Sequence, residues 1–100
     1  MLDLFMFTDI LISYCDNKMT VNYNTILNTV NDLNANDIIN RYEIHYSLTD
    51  FKERIIIKLY DNDLSIKDNR FKYTLYEIRV SILDEEGNCM IDSVHIRSDN

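Results

Sequence analysis

From Tyr42 onward the apolar residues fall at every second position, and this alternation constrains the fold more than any other feature of the chain. Tyr42, Ile44, Tyr46 and Leu48 alternate with Glu43, His45 and Ser47; a turn at Thr49-Asp50 follows, and then Ile55, Ile57 and Leu59 form a second inward set. Successive side chains of a strand point to opposite faces, so each run reads as a strand with one apolar and one polar face. Thr74, Tyr76, Ile78, Val80 and Ile82 make a third set, opposed to Tyr73, Leu75, Glu77, Arg79 and Ser81. Met90, Val94 and Ile96 make a fourth, opposed to Ile91, Ser93, His95 and Arg97. Between the last two stands Asp84-Glu85-Glu86-Gly87-Asn88, where the single glycine of the chain meets a short hairpin loop's demand for a left-handed residue. The polar run from Asp61-Asn62-Asp63 to Asp68-Asn69-Arg70 reads as a loop. Sequential strands with short connections predict an antiparallel meander.

Before residue 40 the period is different. Tyr23, Ile26, Leu27, Val30 and Leu33 follow helical spacing, with Asn24, Asn28, Asn31 and Asp32 on the other side and Thr20 or Asn22 as the cap. The helix is expected over 21–34, with a continuation or restart through Asp37, Ile38 and Ile39. Residues 4–15 read two ways. Alternation groups Leu4, Met6, Ile10, Ile12 and Tyr14; helical spacing groups Leu4, Phe7, Leu11, Tyr14 and Cys15. The β-branched and aromatic content favours a strand. The expectation is one α+β domain over residues 1–100: an antiparallel meander of about four to five strands with one main helix packed on one face.

Net charge is −7, and it is uneven. Residues 1–50 carry seven acids against Lys18 and Arg41, whereas residues 51–100 carry ten acids against eight bases. Such a chain is poorly suited to binding phosphate backbones, where Lys and Arg supply most of the affinity. Twelve asparagines and fourteen isoleucines read as the codon bias of an AT-rich genome and carry no chemistry. The apolar N-terminal stretch has no basic leader and carries Asp3 and Asp9, which argues against a signal peptide. No segment approaches the roughly 18 apolar residues of a membrane span. Cys15 and Cys89 make no metal spacing and no C-x-x-C, so a reducing, cytoplasmic setting is expected.

Few residues suggest chemistry. Asp61-x-Asp63-x-Ser65 opens like a calcium loop, but Ile66 stands where glycine is required and Lys72 where the bidentate glutamate belongs. His45 and His95 share a sheet face on different strands, where Glu43 or Glu77 would have to join them to make an acid–base pair. One glycine cannot build a phosphate-cradling loop. No catalytic residue, metal or cofactor is expected. The polar sheet face gathers Glu43, His45, Arg54, Lys58, Glu77, Arg79, His95 and Arg97, with Tyr60, Tyr73 and Leu75 among them. Stacking of single-stranded RNA would use such a face, yet no RNP-like aromatic motif is present. Tyr and Arg suit a protein–protein contact or a homodimer face better.

No motif matches a known family residue by residue. The profile as a whole, which is small, acidic, rich in Asn and Ile and without a catalytic signature, resembles small phage-encoded inhibitors such as anti-CRISPR proteins. It resembles bacterial immunity proteins that neutralise a toxin nearly as closely. The resemblance is compositional and transfers no residues. It implies a non-catalytic inhibitor of a protein partner: a nuclease or another nucleic-acid-binding protein in the first case, met by mimicry of nucleic-acid charge, and a toxin in the second. The expected contact residues are Asp16, Asp32 and Asp37, the Asp84-Glu85-Glu86 turn, and Tyr60, Tyr73 and Arg79 on the sheet face.

Overall fold

The computed structural model of the chain describes residues 4–61 and 73–99, and the side chains of all of these except residues 61, 73–75 and 96–99. The elements run α1 (Leu4–Asp16), β1 (Thr20–Asn22), α2 (Tyr23–Ala35), β2 (Arg41–Thr49), β3 (Lys52–Asp61), β4 (Tyr73–Ile82) and β5 (Asn88–Asp99). The strands form one antiparallel sheet in the order β1-β5-β4-β3-β2. The expected meander is β2 to β5, and the short β1 adds itself to the far side of β5. Both helices contribute to a single core on one face of the sheet: Leu4, Phe7 and Leu11 from α1, and Ile26, Val30 and Leu33 from α2. They meet Ile55, Ile57, Leu59, Ile78, Val80 and Ile91 of the strands. Truncating a fully buried member such as Ile57 to Ala costs about 2–5 kcal/mol.

Residues 4–16 are a helix, which corrects the expectation of a strand. The buried set is Leu4, Phe7, Thr8 and Leu11, the helical spacing, while Met6, Ile10 and Ile12 of the alternating set are exposed. The polar interruption at Thr8 decides the matter: its hydroxyl donates to the Leu4 carbonyl at 2.7 Å, so it is buried at no loss of hydrogen bonding. Strand propensity yields here to the stripe that packs on β5.

Each helix ends in a Schellman motif built without glycine. At α1 the N–H of Met19 reaches the Tyr14 carbonyl at 2.9 Å, with Lys18 left-handed at φ 53. At α2 the N–H of Ile38 reaches the Leu33 carbonyl at 2.9 Å, with Asp37 left-handed at φ 58. Asp37 therefore stops α2, and the expected continuation through Ile39 does not occur. Asn22 is the N-cap, accepting from the Asn24 N–H at 2.9 Å.

A bulge corrects the inward set of β5. Arg79 pairs with Ser93 but Val80 pairs with Ile91, so Asp92 is the extra residue and the alternation changes parity there. Ile91 joins the core, and Met90, opposite Ser81, faces the polar side. Cover over β2 is also uneven. α2 meets this strand near its start, where the Tyr42 hydroxyl donates to the Asn31 side chain, and exposure then grows from Ile44 to Tyr46 (59%) and Leu48 (64%). Among the described residues no helix is long and apolar enough to cross a membrane.

Candidate functional site: the hairpin end and the open sheet face

Two surfaces carry the exposed chemistry. The first is the end of the sheet where the β2–β3 and β4–β5 hairpins lie side by side. Thr49 pairs with Lys52, leaving a two-residue loop of Asp50 and Phe51 at φ 53 and 64. That is the geometry of a type I′ turn, which favours Asn-Gly. A left-handed residue with a Cβ costs about 1–2 kcal/mol, and Phe51 is 100% exposed, so no burial offsets the strain. A depression of about 290 Å³ connects this tip to the other hairpin and is lined by Phe51, Glu53, Ile82, Leu83 and Glu85 among others. Leu48, Phe51 and Leu83 are exposed apolar groups at this end, and Asp50, Glu53, Glu85 and Glu86 are exposed acids.

The β4–β5 turn is organised by Asp84. Its carboxylate accepts from the Glu86 N–H at 2.9 Å, the Asn88 N–H at 3.1 Å and the Asn88 side-chain amide at 2.7 Å. These bonds, the Asn88 side chain foremost, hold the Asp84 carboxyl below its ordinary range. Gly87 is left-handed at φ 90, as its place in the sequence required. Asp84 thus shapes the turn, and Glu85 and Glu86 present its charge outward.

The second surface is the face of the sheet away from the helices. The register sets its rows: Arg41–Tyr60–Leu75–Arg97, then Glu43–Lys58–Glu77–His95, then His45–Ile56–Arg79–Ser93, then Ser47–Arg54–Ser81–Met90. Arg41 contacts Glu43 at 2.6 Å and lies over the Tyr60 ring at 3.9 Å, and His45 Nε2 is 3.0 Å from Glu43. The hydrogen bond with His45, followed by Arg41 and Tyr60, holds the Glu43 carboxyl below its ordinary range. Tyr60 is buried beneath this cluster, and Glu77, also buried, has Arg79 at 3.7 Å.

The acids expected to make contact do not converge. Asp16 is in the last turn of α1, whereas Asp32 and Asp37 lie at the far end of α2, which is about 20 Å long. Asp84, Glu85 and Glu86 sit at the start of α2, where Asn22 donates to the Glu86 carbonyl at 3.3 Å. Arg79 is exposed on the open face, Tyr60 is buried there, and the Tyr73 side chain lies outside the described residues. His45 and His95 stand on strands three spacings apart, roughly 14 Å; each has its own glutamate, Glu43 by contact and Glu77 by register. Burial, with Asp92 second, pushes the Cys89 thiol up to about 11, and Cys15 Sγ is 3.5 Å from the Asp92 carbonyl. Asp63, Ser65, Ile66 and Lys72 of the calcium-like run lie outside the described residues. Among the described residues no group of three or more His, Cys, Asp or Glu is placed to hold a metal ion.

Sequence reasoning missed Phe51 and the nearness of the two hairpins. The alternation could not give Phe51: six residues separate Leu48 from Ile55, and the turn expected at Thr49-Asp50 lies one residue further on, at Asp50-Phe51, a poor pair for that turn. Compared with known protein families, with curated proteins and with solved structures, the chain matches none of them.

Proposed function

We propose that this protein is a non-catalytic inhibitor that binds a protein partner through the hairpin end of its sheet, docking on a basic, nucleic-acid-handling surface. The observation that carries the reading is Phe51, an aromatic side chain fully exposed on a backbone that disfavours it. Strain of this kind clusters at binding sites, and, unlike Lys18 and Asp37, Phe51 adds a bare aromatic rimmed by polar groups, the anatomy of an interface hot spot. Leu48 and Leu83 supply further apolar area, and Asp50, Glu53, Glu85 and Glu86 supply charge for a basic counterpart. The net charge of −7 supports the same choice. A toxin with a basic active surface is the second reading, favoured by the same complementarity.

Affinity capture from the native host's lysate tests the proposal, with the parent chain, Phe51→Asn and Glu85→Lys/Glu86→Lys as baits. A protein recovered by the parent, weakened by salt and lost with both variants supports it. A protein held equally by all three, or nuclease-sensitive material alone, contradicts it.

A further inference from the structure

The open face has a basic end. Arg54 on β3 pairs with Ser81 on β4, and Arg79 lies two residues before Ser81, so the two arginines are diagonal neighbours across one strand pair. Diagonal positions lie about 7–8 Å apart, within reach of long side chains converging on one group. Lys52 stands two residues before Arg54 on the same face, and Ser47 and Thr49 oppose these two bases from β2. Together they line a depression of about 420 Å³. Among the described residues Lys52 and Arg54 make no ion pair, and Arg79 has Glu77 at 3.7 Å. Asp92 is the one acid on the rim, and Ser81 donates its hydroxyl to that carboxylate.

We propose that this depression binds a phosphate group. With Asp92 on the rim and Glu77 beside Arg79 both counted, the three bases leave a local charge of about +1, which favours a phosphate anion. Arginine forks suit phosphate oxygens in paired, charge-assisted hydrogen bonds, and the Ser47 and Thr49 hydroxyls add neutral donors on the β2 side. The volume leaves room for more than the phosphate itself, so the group arrives either on a free nucleotide or on a nucleic-acid strand. Stacking of bases does not help at this end: Tyr60 is buried under Arg41, two rows from Arg79 and three from Arg54. Lys52 also lines the depression at the hairpin tip, but Arg54 and Arg79, which carry the site, point from the sheet face opposite to Leu48 and Tyr46.

Amide NMR titration of the whole chain tests this, using inorganic phosphate, adenosine 5′-monophosphate and a ten-residue oligothymidylate, each against a sodium chloride control. Saturable shifts of the amides of Ser47, Thr49, Arg54 and Arg79, at roughly millimolar phosphate, are expected. Arg54→Gln and Arg79→Gln each weaken binding about tenfold, while Asn28→Ala, on the exposed side of α2, leaves it unchanged. Tighter, salt-dependent binding of the oligomer identifies a nucleic-acid source, and equal or tighter binding of the monophosphate identifies a free nucleotide. Shifts no larger than those with chloride, or shifts that survive both substitutions in variants with parental melting temperatures, overturn the proposal.

Discussion

The backbone N–H of Tyr23 donates to the Gly87 carbonyl at 2.8 Å, so the first residue of α2 is held by the β4–β5 turn. Asn22 strengthens the same junction by capping α2 and reaching the Glu86 carbonyl. One side of the sheet is thereby locked to one end of a helix whose asparagines give it little intrinsic stability. Gly87 is left-handed, and a Cβ there would meet nothing nearer than the Asn22 amide at 3.9 Å, so its cost to a larger residue is conformational. Gly87→Val lowers stability by about 1–2 kcal/mol and Gly87→Asn by less than half of that, since Asn tolerates the left-handed region. Urea unfolding of the two variants checks the order; equal losses would point to a clash instead.

Asp84 makes the fold acid-sensitive at this turn. Its folded carboxyl titrates below the ordinary value, so the stabilisation is complete above the unfolded value near 4 and is lost as pH falls through the folded one. Asp84→Ala therefore lowers the melting temperature at pH 7, and the gap between variant and parent narrows as pH drops below about 4. A gap constant with pH would show that the charge contributes nothing.

At the other extreme, Cys89 makes the fold alkali-sensitive. Burial raises its thiol from 9.0 to about 11, and burial first, then Cys89 itself, raises the Tyr23 phenol beside it. The unfolded thiol ionises first, so stability is full below about 9 and declines as pH rises to about 11, by roughly 2–3 kcal/mol for the thiol alone. Cys89→Ala flattens this part of the profile. Native-state reaction with a thiol reagent at pH 8 should be slower at Cys89 than at Cys15, which is partly exposed.

Phe51 should show stability and function opposed. Phe51→Asn removes no buried surface and places a tolerated residue at φ 64, so it raises stability by about 1 kcal/mol. Denaturant midpoints measure this directly, and a destabilised Phe51→Asn would mean that the ring packs on something after all.

The strands were readable from Tyr42 onward because one buried face enforces strict alternation, and the hairpin at Gly87 was readable because a single glycine had one plausible use. The bulge at Asp92 was not: a parity change looks like noise when Met90 and Ile91 are both apolar. α1 was misread because its outward residues, Met6, Ile10 and Ile12, are as apolar as its inward ones. Left-handed stops at Lys18 and Asp37 were hidden, since in a chain with one glycine other residues must take that conformation. Of the contact residues, the Glu85-Glu86 turn was legible as charge, but its apolar neighbours on the other hairpin come together only through the strand pairing.

The most direct test of the proposed interface is photo-crosslinking from position 51. Benzoylphenylalanine replaces Phe51 in one chain and Asn28, on the exposed side of α2, in another, and both are irradiated in host lysate with and without nuclease. A discrete protein adduct at position 51, absent at position 28, insensitive to nuclease and diminished by high salt, is the result expected of a charge-assisted protein contact. Adducts that disappear with nuclease, or the same adducts from both positions, would contradict it.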